Sequence, residues 1–188
     1  MIMEKFGKQL PMEEYIARFL DRDRIRGFCN ACSRHGRCWA CPPFGSEENG
    51  MLLHYTMISV RAVKLYPGKY TGQSPDGLKD FLGEIIRQHR EKEDAALLEE
   101  EAALEGRAFF AGTCLLCPED RCMRISGRRC IHPEKVRPSL EALGFDIVAT
   151  ASELFGIEMK WGTGGNPPEY LTLVSGLAFT TKGTVMSR

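Results

Sequence analysis

Eight cysteines fall into two groups of four, with none left over. The first group reads Cys29-x2-Cys32-x5-Cys38-x2-Cys41 and runs into Pro42-Pro43. The second reads Cys114-x2-Cys117-x4-Cys122-x7-Cys130 and runs into Ile131-His132-Pro133. A Cys-x-x-Cys step lets a tight turn aim two sulfurs at one centre. Four thiolates then complete a tetrahedral zinc site or hold the four irons of a cubane. Random placement along 188 residues does not give two compact quartets. Cys29, Cys32, Cys38, Cys41, Cys114, Cys117, Cys122 and Cys130 are therefore all candidate metal ligands, and a metal-binding chain is the leading expectation.

The rest of the composition sets the context for those thiols. The chain opens MIMEKFGKQLPMEEY, without an apolar core of signal-peptide length. The longest strongly apolar run near the C-terminus, residues 170–180, is too short to cross a bilayer. The expectation is a soluble, cytoplasmic protein without a membrane partner. Reducing cytosol disfavours structural disulfides, so clustered thiols there point to metal or redox chemistry. The 25 Lys+Arg balance 25 Asp+Glu, and no basic aromatic stripe supports nucleic acid. Ordinary apolar and charged fractions, 43% and 27%, exclude a disordered chain and suit one metal-binding domain over residues 1–188.

Spacing weighs on the choice of metal. Zinc ribbons usually separate their Cys-x-x-Cys pairs by a dozen or more residues, and here the first pairs are five apart. Proline directly after a ligand cysteine, as in Cys41-Pro42 and Cys117-Pro118, is a habit of bacterial ferredoxins, although their two–two–three spacing is absent. Two [4Fe–4S] clusters are the first reading and two Zn2+ ions the alternative. Charge does not separate them, since each filled site carries −2, and the loaded chain would fall to about −4. Arg34 and Arg37 lie inside the first group, and Arg121, Arg124, Arg128 and Arg129 inside the second. They are placed to offset that charge or bond the sulfurs, with plain surface solubility as the bland reading. Trp39 and Phe44 either shield a cluster or pack the loop onto the core. His132 and His35 suit a supporting role, because four cysteines are already present at each site. His54 and His89 have no visible partner. Exchange of a cysteine between the groups stays open, as in two-cluster ferredoxins.

Periodicity predicts an α+β fold, with an antiparallel or mixed sheet covered by helices and Cys-rich loops between them. A short helix is predicted over residues 11–20 and a loop over 29–50. Residues 57–66 predict a strand with Ile58, Val60 and Ala62 on one face. A long helix is predicted over 77–105, capped by Asp76, with an apolar stripe of Leu78, Phe81, Leu82, Ile85 and Ile86. Ala95, Leu98, Ala102 and Leu104 continue the stripe, and the glutamates form a solvated face. Residues 107–113 predict a strand, 139–142 a short helix closed by Gly144, 145–151 a strand, and SELFG a short helix. Residues 162–168 predict a turn rather than a phosphate cradle, lacking the Lys-Ser/Thr of a P-loop. YLTLVSGLAFT predicts the last strand, with Leu171, Leu173, Leu177 and Phe179 on one face.

The strings FCNACSRHGRCWACPPF and CLLCPEDRC…RRCIHPEKVRPSLEALGFDI carry a resemblance. They are similar to the two signatures of an uncharacterised prokaryotic family of predicted metal-binding proteins, a domain of unknown function. Together they cover about a third of the chain, in the right order; the AFFAGTC link is shorter than that family's pattern. The resemblance implies a metal or iron–sulfur protein, mostly of anaerobes, and no defined reaction. The expected role is an electron-transfer module serving a redox partner protein. The alternative is a zinc-stabilised interaction module. An enzyme is the weakest reading, because four full cysteines per site leave no open coordination position. No Ser/His/Asp set, paired catalytic carboxylates or single thioredoxin-like dithiol stands out. Oligomeric state is not legible.

Overall fold

The structure is a computed structural model that describes residues 2–44, 50–72, 74–118, 121–163 and 165–181. Among them are four strands in one antiparallel sheet and four α-helices, an α+β fold. The strands are β1 (Ile2–Pro11), β2 (Met57–Tyr66), β3 (Arg107–Phe109) and β4 (Leu171–Phe179). Their order is β1-β2-β4-β3. The helices are α1 (Met12–Phe19), α2 (Arg22–Ala31), α3 (Pro75–Leu104) and α4 (Ile147–Phe155).

Strand β2 has the predicted bounds, and alternation along it explains the two layers. Ile58, Val60 and Ala62 point to one face and join Leu10, Val174 and Ala178 in the main core. Helix α1 brings Met12, Tyr15 and Phe19 onto that core. Tyr15 stacks on Phe145 at 4.7 Å between ring centroids, and its hydroxyl lies 3.2 Å from Thr150 Oγ1 on α4. The opposite face is covered by α3, where Leu97 packs with Ala108, Phe110 and Leu177. The last strand therefore buries both faces, Val174 and Ala178 on one and Leu177 on the other, while Leu171 and Leu173 are only half-buried.

Several expectations change. Residues 145–151 form the start of α4, not a strand. The Phe145/Ile147/Ala149 alternation is overruled by Asp146, whose carboxylate accepts from Ala149 N at 2.9 Å and caps the helix. Gly156, at φ 66°, ends it. Helix α3 starts two residues earlier than predicted, at Pro75. Ser74 is the cap, accepting from Gly77 N at 3.0 Å, with Pro75 in the first turn. Its expected apolar stripe is only half-buried, and Ala95, Ala102 and Leu104 are exposed; the buried residues are His89, Arg90 and Leu97. Nor is its acidic side merely solvated. Glu101 accepts from Arg137 and from Ala108 N, Asp94 pairs with Arg90 at 2.6 Å, and Arg61 pairs with Glu93 and Glu100.

Strand β1 and helix α2 were not visible in the sequence. The first is an exposed edge strand, and only Phe6 and Leu10 contribute apolar contacts to the main core. The second is capped by Asp21, which accepts from Arg24 N at 3.1 Å, and it extends through Cys29 into the expected loop. Of that loop, residues 45–49 lie outside the described residues, as does Gly164 of the 162–168 turn. The short turn at Glu141–Leu143 closes on Gly144 as expected, at φ 102°. A Cβ there would meet Arg22 of α2 at 2.7 Å, so only glycine lets the turn dock against that helix.

Candidate metal centre

Both cysteine segments lie beside one end of the sheet, brought there by α2 and by the chain leaving β3. Cys29 sits in the last turn of α2 and Cys32 is its C-cap, with Cys32 N donating to Cys29 O at 3.1 Å. His35 N donates to Cys32 O and Cys41 N to Cys38 O, both at 3.0 Å. The loop thus folds as consecutive tight turns, each hinged on a cysteine carbonyl. Gly36 N closes the loop by donating to Pro42 O at 2.9 Å, and the Pro42–Pro43 peptide is cis.

The second segment is fastened to the first by Arg124. Its guanidinium donates to Cys38 O at 2.8 Å, to Pro43 O at 2.6 Å and to Cys41 O. It also lies 5.1 Å from the centre of the Trp39 ring, whose Nε1 donates to Arg128 O at 3.0 Å. Arg34 reaches Thr113 Oγ1 at 3.4 Å, and the buried Arg90 donates to Thr113 O. These arginines bond the backbone and hydroxyl framework around the thiols. Trp39 thereby has a packing role, and Phe44 packs against the main core. His132 contributes its backbone N–H, 3.4 Å from Cys130 Sγ. His89 lies away from the thiols, on α3 where it faces a cavity against β1 and β2, and the His54 carbonyl accepts from Thr180.

The side chains do not divide as the sequence does. Cys29, Cys32 and Cys41 line one cavity of about 170 Å³ together with His35, Thr113 and Glu141. Cys38 lines a separate narrow cleft of about 20 Å³ with Cys114, Cys117, Cys122 and Cys130. Its thiol lies against those of Cys114 and Cys41, which brings the two groups together. Those two contacts stabilise the thiolate and pull Cys38 well below the ordinary thiol range. Cys41 and Cys114 are pushed up, first because each lies against Cys38 and then by burial. Burial also raises Cys29 and Cys117.

Glu141 is the residue that sequence reasoning missed. Burial raises its carboxyl above the usual range, and its Oε2 is buried with no hydrogen-bond partner. Nothing in the sequence marked it, since its position beside the thiols is set by the docking of 139–144 against α2.

The donor set, being sulfur-rich, fits a soft metal or an iron–sulfur core; Cys38 is buried, Cys32 exposed and the other six thiols half-buried. Among the described residues, no three His, Cys, Asp or Glu side chains converge closely enough to hold a single ion as they stand. No described helix is long and apolar enough to cross a membrane. No curated protein and no solved structure matches the chain. A family model does match residues 18–177, which takes in both cysteine segments and the sheet strands between and after them, and the chain belongs to that family, the predicted metal-binding proteins DUF2284.

Proposed function

We propose that the protein carries two cysteine-bound [4Fe–4S] clusters and exchanges electrons with a partner protein. The observation that carries this reading is the meeting of the two cysteine segments at Cys38, with eight thiols around two adjoining spaces. The close Cys-x-x-Cys pairs and the prolines after Cys41 and Cys117 favour an iron–sulfur core over zinc, whose ribbons space their pairs more widely. Cys29, Cys32 and Cys41 would hold one centre, and Cys38 with Cys114, Cys117, Cys122 and Cys130 supplies the other. When bound, the clusters supply one-electron chemistry. The chain's own contribution is to hold the thiol-bearing turns through Arg124. Trp39, Leu115, Ile125 and Ile131 are exposed apolar side chains on these same segments, the kind of surface a docking protein covers.

Purification of the full chain without oxygen tests this. The expected product is brown, with about eight irons and about eight acid-labile sulfides per chain. It bleaches on reduction with dithionite and recovers on reoxidation. Colourless protein with about two zinc ions per chain overturns the iron–sulfur reading in favour of a zinc-stabilised module.

A further inference from the structure

Helix α3 does not sit evenly on the sheet. At Leu97 it packs directly against Ala108 and Leu177. One and two turns earlier, at Glu93 and His89, a cavity of about 300 Å³ separates it from the strands. The floor of that cavity explains the gap. Gly7, Arg61 and Ser175 form one row across the sheet and Lys5, Val63 and Leu173 the next, all on the face turned towards α3. Gly7 brings no side chain and Ser175 only a short one. A Cβ at Gly7 would meet nothing within 4 Å.

Polar groups on the wall have hydrogen-bonding capacity to spare. His89 is 7% exposed and Ser175 5%, yet among the described residues neither side chain makes a hydrogen bond. Burial holds the His89 imidazole below its ordinary range, so at neutral pH it offers one donor and one acceptor. Two buried polar side chains left without partners around one hollow mark a place where a ligand supplies the missing bonds.

The charges narrow the class of ligand. Glu93 lies 3.6 Å from Arg61 and 3.8 Å from Lys5, ion pairs that do not close to hydrogen bonds, whereas Arg90 and Asp94 beside them close to 2.6 Å. Glu100 holds the other end of Arg61 in place. One anion and two cations thus keep bonding positions open at the cavity, next to the apolar floor of Val63 and Leu173. We infer that the cavity binds an α-amino acid with an apolar side chain, its ammonium on Glu93, its carboxylate on Lys5 and Arg61, and its side chain against Val63 and Leu173. The volume is at the small end of ligand pockets and suits a molecule of that size.

Isothermal titration calorimetry of the full chain with L-leucine, L-methionine and L-phenylalanine tests this. At least one should bind, at one molecule per chain. The same molecule without its amino group, 4-methylpentanoate in the case of leucine, should bind about tenfold more weakly. Gly7→Leu fills the floor from an interior strand position, where glycine itself is unfavourable, so binding should disappear while the thermal midpoint is kept. Glu93→Gln keeps the shape and removes the charge, and affinity should fall about tenfold. Failure of all three amino acids to bind overturns the inference, as does a Gly7→Leu chain that binds like the native one. Should Gly7→Leu not fold, an unchanged affinity in Glu93→Gln overturns it. A deaminated analogue that binds as tightly as its amino acid overturns the ligand class. None of these outcomes depends on which metal the thiols hold.

Discussion

Cys38 and Arg124 show how much of this site depends on single side chains. Cys38 is the thiol at which the two groups touch, and Arg124 holds the backbone at Cys38 and just after it. The planar guanidinium serves three carbonyls and the Trp39 ring at once, which a lysine ammonium cannot reproduce. We therefore expect Arg124→Lys to cost about 1.5–3 kcal/mol of stability in the metal-free protein, read from denaturant midpoints. Metal content per chain should fall with it, because the first loop is no longer fixed against the second segment. The eight candidate ligands were legible in the sequence because Cys-x-x-Cys spacing is a local signal. Which of the two adjoining cavities each lines was not. Which way each thiol faces is decided by the turn at Cys38–Cys41 and by Arg124, and Arg124 lies in the other segment.

At the scale of the elements, β2, β3 and β4 were legible because alternation and turn residues are local. Helix α4 was misread because its three aromatic and aliphatic positions alternate as a strand's do, while the deciding feature is one capping carboxylate, Asp146. Edge strand β1 was missed because an edge needs few apolar residues, and α2 because its polar sequence buries only Ile25. The acidic side of α3 was misjudged for a related reason: the partner of Glu101 is Arg137, distant in the chain.

That pair makes a pH prediction. Burial pushes Glu101 up, but the Arg137 guanidinium and the Ala108 N–H outweigh it, so the carboxyl lies below its ordinary range. A carboxyl lowered on folding contributes stability in full above the unfolded value of about 4.3, and the contribution is lost as pH falls through the folded value. Glu101→Gln should cost about 3 kcal/mol at neutral pH by leaving the buried Arg137 without its counter-charge. The gap between variant and native protein should close under acid, as the native carboxyl itself protonates. Thermal unfolding across that pH range checks it.

For the whole molecule, the cores and the thiols are separate. The main core on one face of the sheet and the Leu97 cluster on the other contain no cysteine. Stripping metal should therefore loosen residues 32–44, 114–118 and 121–130 while the sheet, α1, α3 and α4 persist. Hydrogen exchange with and without metal should show protection lost in those two segments and kept in β2 and β4. Global unfolding on metal removal would show instead that the thiols nucleate the fold. The α+β class was legible from the order of periodic segments. That α3 covers one face while α1 and α4 cover the other was not, because it depends on which face of each strand is turned towards which helix.

The contact between Cys38 and Cys41 has one more consequence. Two clusters held as proposed on either side of that turn would lie on the order of 10 Å apart. At an effective dielectric of about 20, a charge added to one acts on the other with about 1.7 kcal/mol. In electrical terms that is about 70 mV for a one-electron step. Two otherwise identical centres would then fill in sequence, the first electron holding back the second, and a potentiometric titration would resolve two waves.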